Sequence, residues 1–492
     1  MVAEGVVMAG LRVDFQPESL IRIVNPVPPF TPPALTPWAK VSIMDASHFD
    51  ANEAYAAVNT IRLDEQKPHL YRTRDGGKTW TEIVNGIAGD ASTDVVREDP
   101  VRRGLLFAGT ESQVWYSLDD GDHWTSLRLN MPAQSIRDLI IKDADVALGT
   151  HGRGFWILDD ISALRQIPAS GAKTQLFKPA LATRVRYSMY TDTPVPPDEP
   201  MAENPPDGAV IDYFLAGDAK SVTLDVVDAS GRVVRHYSSD DKFEPPHDTG
   251  NWPWYWYRPL HAIGTKAGVQ RAVWDLHFAP PPVTNFSMPI SATPYNTLPV
   301  PQGPFAAPGR YSVKLTVDGA VFTQPLTVRI DPRIKTPGAA LKEQATLSLA
   351  MYDGVRGTSG QWAQVKAIRA QLKTRRAAAS AALQPALDSL DAELAKFDGT
   401  QGASSFGAQQ GQMLAVMEVL QSGDGTPTTQ AVAAAHAQQK ALDALTAKWS
   451  GVVKGEIPAI NVRLKEAGME PLTVEKAGLP VPGEPDSGSD EP

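Results

Sequence analysis

The sequence predicts a multidomain, mainly β protein: a partial β-propeller of about three blades, then an antiparallel β-sandwich, then an α-helical bundle. Three observations predict it. A strand-rich module recurs at a spacing of about 40 to 45 residues, the length of a propeller blade. Hairpins with strict apolar alternation come after it. Beyond Pro337 the composition shifts to Ala, Gln, Leu and Lys, with leucines at helical spacing. The 492 residues are enough for two to four domains.

Residues 1–40 differ from the rest of the chain, because the run "NPVPPFTPPALTPW" is too dense in proline for interior strands or helices. They read as a linker or a divergent start. From residue 41 to 168, short strands rich in Val, Phe, Trp and Tyr alternate with Gly/Asp turns. Within this region "AGTESQVWYSLDDGDHW" and "LGTHGRGFWILDDISAL" align without a gap, matching Gly109 with Gly149, Thr110 with Thr150, Trp115 with Phe155 and Asp119 with Asp159. An earlier copy, "AYAAVNTIRLDEQKPHLYRTRDGGKTW", has the same order with a longer internal loop. Closed propellers usually have four or more blades, and three leave a sheet face open to water. The expectation is a propeller fragment completed by a part outside this sequence or by a second chain.

Between residues 169 and 336 the period is lost but strands remain. "SVTLDVVDASGRVVRHY" reads as a hairpin with Val222, Leu224 and Val226 on one face and a turn at Gly231; "RYSVKLTVDGAVFTQPLTVRI" reads as another, turning at Asp318-Gly319. About seven or eight such strands suggest a sandwich of fibronectin or immunoglobulin type, interrupted by aromatic and Pro-rich insertions. In residues 337–470, Leu383, Leu387, Leu390, Leu394 and Phe397 share a helix face, as do Leu442, Leu445 and Trp449. Pro385 should kink or restart the first of these helices. Residues 471–492 form an acidic tail of disordered composition.

The stretch "TRDGGKTW" shows what the repeat is for. The carboxylate of Asp75 is placed to accept backbone N–H groups and close an Asx-type turn, Gly77 to take a positive φ, and Trp80 to bury its ring beneath the turn. A structural staple accounts for each part better than catalysis or metal binding does. Thr73, Asp75, Gly77, Thr79 and Trp80 match the Asp-box, or BNR repeat, of sialidases, xyloglucanase-type glycosidases and sortilin-type receptors. Ser117, Asp119, Gly121 and Trp124 match it too, with His123 where Thr is usual; the third copy keeps Asp159 but has lost the Gly and Trp. Together with "ASHFD", "VVREDP", "THGRGFWILDD", "NPPDGAVIDYFL" and "LTVRIDPR", these boxes resemble the C-terminal half of large bacterial BNR-repeat or sortilin-like glycosyl hydrolases over roughly residues 35–470. The resemblance implies a longer propeller upstream, and a secreted or periplasmic protein.

A net charge of -10 and a pI near 5.5 argue against nucleic acid and anionic membrane surfaces as partners. The chain has no cysteine, which excludes disulfides and thiolate chemistry. The start "MVAEGVVMAGLRVDF" lacks the pattern of an export signal.

A glycosidase typically needs two carboxyl groups across a cleft. Asp45, Asp50, Asp64, Glu65, Asp94, Glu98, Asp99, Glu111 and Asp138 lie on suitable loops, and no sequence feature pairs any two of them. In "THGRGFW", His151 and Arg153 flank a glycine turn, where they fit either ligand binding and proton transfer or a purely structural turn. His48 and Asp50 of "ASHFD" lack a further metal ligand. Trp252, Trp254, Tyr255, Trp256 and Tyr257 suit a carbohydrate platform, or equally a plug between domains. The expected function is a binding scaffold for a protein or polysaccharide, with glycoside hydrolysis as the alternative; no cofactor or metal is expected.

Overall fold

In the first part of the chain three antiparallel sheets succeed one another, each a meander in chain order. The first joins Lys40–Ala46, Ala54–Asn59, His69–Thr73 and Thr81–Glu82. The second joins Thr93–Glu98, Leu106–Thr110, Val114–Ser117 and Thr125–Ser126. The third has Ile136–Lys142, Asp145–Thr150 and Phe155–Leu158. Four-stranded meanders of this kind are propeller blades. The first strand of the second blade packs beside the first strands of both its neighbours, which places these three strands innermost.

The computed structural model describes residues 35–169, 173–186, 204–243, 253–283, 286–289, 292–400 and 405–475, with three short strands before residue 35 and isolated positions between 196 and 199. Most of the proline-dense start, Trp252 and most of the acidic tail lie outside them. The chain forms two compact units, one from Met1–Ala180, Asp212–Asp218 and Ala267–Gln270, the other from Leu181–Ile211, Ala219–Lys266 and Arg271–Pro492.

Alternation along the strands gives each blade two distinct faces. Val96, Leu106, Ala108 and Trp115 of the second blade meet Tyr55, Ala57, Leu70 and Ile83 of the first. On the opposite face Val95, Phe107 and Val114 meet Leu139, Val146 and Leu148 of the third. The front of one blade therefore packs on the back of the blade before it.

Register corrects one detail of the repeat. Val114 pairs with Gly109, whereas the partner of Gly149 is Phe155, so the third blade carries one extra residue and Phe155 corresponds to Val114, not to Trp115. The extra residue sits in the turn: the Thr150 N–H donates to the Gly154 carbonyl, while that of Thr110 donates to Gln113. Gly152 and Gly154 absorb it with φ of 90° and 66°. Phe155 consequently points to the back of its blade.

The turns at Asp75 and Asp119 close by one pattern. Asp75 Oδ1 accepts from the Thr79 N–H (2.9 Å) and Oδ2 from the Thr79 hydroxyl (2.7 Å), while Thr73 Oγ1 accepts from the Gly77 N–H (2.9 Å). In the second box Asp119 Oδ1 accepts from the His123 N–H (2.9 Å), Asp119 Oδ2 meets His123 Nδ1 (2.7 Å), and Ser117 Oγ accepts from the Gly121 N–H (2.9 Å). His123 thus replaces the threonine hydroxyl with a ring nitrogen. Gly77 and Gly121 have φ of 86° and 88°.

In the second unit a five-stranded sheet runs in the order Ala182–Arg184, Ala320–Ile330, Gly309–Val317, Val222–Asp228, Val233–Ser238, with the first pair parallel. Val222, Leu224 and Val226 share its buried face, and Asp318 and Gly319, both at positive φ, turn the long hairpin. Among the described residues five α-helices follow: α1 Gly338–Ala378, α2 Gln384–Ala395, α3 Phe406–Gln421, α4 Thr429–Gly451 and α5 Ile457–Glu466. Pro385 lies in the first turn of α2, where its missing N–H costs no bond. In the 41-residue helix α1, Gly354 allows close packing, since a Cβ there would meet Met413 Sδ at 2.5 Å. Arg184 and Arg186 both reach Asp424 just beyond α3, at 2.7 and 2.8 Å, and tie sheet to helices.

Asp75 makes the staple sensitive to acid. Hydrogen bonds from Thr79, backbone first and then hydroxyl, hold its pKa down at about 2, against an unfolded value of about 3.9. Its contribution is complete above the unfolded value and is lost as pH falls through about 2. The stability difference between wild type and Asp75→Asn, measured by denaturant unfolding, should be constant above pH 5 and shrink progressively below about pH 4.

Candidate functional site

The tryptophan after the second aspartate turn, Trp124, binds its blade to the one before. Trp124 donates its indole N–H to the Ile83 carbonyl of the preceding blade (2.7 Å), and its backbone N–H to the Asn85 carbonyl (2.8 Å). Gly86 makes this approach possible, because a Cβ there would lie 2.4 Å from the Trp124 carbonyl oxygen. Trp80, at the same place on the first blade, has a buried Nε1 with no hydrogen-bond partner among the described residues. Its ring lies with Ala56, Val58 and Tyr71, beside Leu35 and Ala39 rather than beside another blade.

The back of the third blade is open as well. Val114 is buried against its neighbour, but its register equivalent Phe155 is 85% exposed, and Ile157 and Ile140 are 62% and 54% exposed. An apolar face exposed this far marks a binding surface when it is contiguous. Among the described residues, the first blade thus shows an indole donor without an acceptor on its front face, and the third blade shows exposed apolar side chains on its back face.

Charge is matched almost everywhere else. Glu53, buried and without any sequence signal, accepts from Arg74 (3.2 Å) and Arg103 (2.9 Å). Arg72 and Arg74 both reach Asp120, to which the Tyr55 hydroxyl donates at 2.5 Å. Burial and the neighbouring Asp120 push the Tyr55 hydroxyl pKa well up. Asp45 and Asp138 share Arg97, and Asp99 is held by Arg165 at 2.8 Å. Glu65 lies 3.4 Å from His69, and Asp64 takes a left-handed conformation after a short helical turn. The His48 N–H donates to Glu98, Asp50 accepts from the Asn52 N–H and lies 3.8 Å from Arg103, and no group of three His, Asp or Glu among the described residues is placed to hold a metal ion.

One constellation stands out at the inner strands. Arg137 Nη1 lies 3.1 Å from Asp94 Oδ2 and 2.9 Å from Glu111 Oε1, so these two oxygens are at most about 6 Å apart. Arg137 Nη2 is 3.3 Å from His151 Nδ1, which must act as acceptor toward a guanidinium. The Asn59 amide donates to Asp94 Oδ1 (2.8 Å), and burial nonetheless raises the Asp94 pKa above its ordinary value. Sequence spacing links no two carboxylates; β pairing brings these together from the start of one strand and the end of the next. Arg153 is exposed, with its backbone N–H on Thr150 Oγ1 and its carbonyl accepting from Trp156 Nε1. In the second unit Trp254 is 65% exposed and its ring contacts Tyr255 and Tyr295, while Trp256 Nε1 is buried without a partner.

No family model and no curated protein matches the chain. Solved structures do resemble parts of it. YCF48 bound to D1 peptide is 11% identical over 58% of this chain and 67% of its own, with a TM-score of 0.20. The GH74 enzyme of Niastella koreensis is 12% identical over 58% of this chain and 46% of its own, with a TM-score of 0.21. YCF48 from Cyanidioschyzon merolae is 14% identical over 57% of this chain and 79% of its own, with a TM-score of 0.19. The blade assignment rests on this chain's own strand order and register.

The two indoles give a paired test. Trp124→Phe removes a buried hydrogen bond and strands the Ile83 carbonyl, so it should cost about 1–3 kcal/mol in addition to the volume lost. Trp80→Phe removes a donor that has no acceptor and should cost at least about 1 kcal/mol less. Urea unfolding of the two variants side by side measures the difference.

Proposed function

We propose that this chain is a propeller-type recognition scaffold, and that its ligand is a protein presenting a blade-like β-sheet. The observation that carries the reading is the open back face of the third blade, with Phe155 exposed where Val114 is buried. Inside the chain such a face is covered by the front of the next blade, which supplies Leu139, Val146 and Leu148 to Val114 and Phe107. A partner sheet with the same apolar alternation meets the same need. Substituting Phe155 by a photo-crosslinking phenylalanine analogue should give cross-links to a strand-rich segment of a partner, and Ile157→Asp should abolish them while leaving the chain's own stability within about 0.5 kcal/mol. Cross-links confined to helical or unstructured segments would exclude this partner chemistry.

Glycoside hydrolysis is a second reading, and one observation favours it. Asp94 and Glu111 approach within the separation used by paired catalytic carboxyls, and burial raises the Asp94 pKa as a general acid requires. Against it, Arg137 sits between the two and is bound to both. If hydrolysis is the function, xyloglucan or an aryl glycoside is cleaved by the wild type, and Asp94→Asn and Glu111→Gln each lower kcat at least about 100-fold. Equal rates in all three proteins would remove this reading.

A further inference from the structure

The second unit holds a cleft of about 510 Å³, within the range of small-molecule sites. It is lined by Asp275–His277, by the loop from Asn296 to Gly303, and by Met417 and Gln421 of α3. Its walls are packed closely. A Cβ on Gly208 would lie 2.0 Å from the Trp274 carbonyl oxygen, and one on Gly303 would lie 2.3 Å from that of Phe278. Leu276 holds a left-handed φ of 60°, a conformation unfavourable for an L-residue. Strain of this kind persists only where the surroundings enforce it.

That strained residue delivers His277. The ring nitrogen Nδ1 lies 2.9 Å from the Asp275 carbonyl, and because a carbonyl only accepts, Nδ1 carries the proton and Nε2 presents a lone pair. The side chain is 16% exposed, and Nε2 has no hydrogen-bond partner among the described residues. Burial pushes the His277 pKa down to about 4, so the ring is neutral near pH 7.

The rest of the lining narrows the ligand. Charge in the lining is of both signs: Arg258 pairs with Asp207 at 2.9 Å, Arg186 shares Asp424 with Arg184, and Asp275 and Glu418 add carboxylates, so the cleft favours neither an anion nor a cation. Phe305 is engaged by the His277 ring at 3.6 Å and by the Arg186 guanidinium at 4.5 Å, which removes the flat aromatic face a sugar would use. The aliphatic wall consists of Leu276, Leu298, Val300, Pro301 and Met417, beside the neutral acceptor of His277.

We propose that this cleft binds an uncharged aliphatic amide of the kind a short apolar peptide presents, its N–H donating to His277 Nε2 and its side chain resting on Leu298 and Val300. The test is calorimetric titration of the full chain with N-acetyl-leucine methylamide, beside N-acetyl-glutamate and cellobiose, with ¹⁵N-histidine NMR reading the His277 Nε2 resonance. Binding of the leucine amide alone, a shift of that resonance, and loss of affinity by at least about tenfold in Leu298→Arg at unchanged melting temperature are expected. Leu298 is only partly buried, so this variant tests the cleft without relying on a change at the packed histidine. An unmoved Nε2 resonance, undiminished binding by Leu298→Arg, or preference for cellobiose or for the anion overturns the proposal.

Discussion

The hydrogen bond from the Trp124 indole to the Ile83 carbonyl is the constraint on which the blade series depends. A blade cannot stand alone, because its two faces are apolar and its outermost strands are only two residues long. Stacking front on back buries both faces, and the turn at Asp119 sets the Trp124 indole where it spans the joint. The turn satisfies its own polar atoms through Asp119, Ser117 and Gly121. Its tryptophan is thereby free to bond outward.

The same geometry explains why the two ends of the series differ from its middle. Trp80 has the turn and the ring but no carbonyl to meet, and Phe155 has the direction of Val114 but no blade to cover it. The carboxylates obey the opposite logic. Glu53, Asp99 and Asp120 are buried or partly buried with arginines within bonding distance, an arrangement that fixes blade against blade but leaves little unpaired charge for a ligand.

Much of this was legible in the sequence because turns have local signatures. Asp75, Gly77 and Trp80 announce the staple, and Asp318-Gly319 and Gly231 announce their hairpins. The extra residue in Thr150–Gly154 was not legible, since the gap-free match of Gly149 and Asp159 conceals a register shift that only strand pairing reveals. Helix α1 has no comparable leucine signature, since Gly354, Gly357 and Gly360 fall within it, and Gly354 is where Met413 packs close. The approach of Asp94 to Glu111 and the placement of His277 beside Phe305 arise from tertiary packing between segments far apart in sequence. Composition and spacing carry no trace of such pairs.

The central claim is that the third blade's back face is uncovered, and amide hydrogen exchange tests it most directly. Val114–Ser117, packed between blades, should exchange much more slowly than its register equivalent Phe155–Leu158, whose outer neighbour is water. Equal protection of the two segments in the isolated chain would contradict the account, because it would mean that something already covers Phe155 and Ile157.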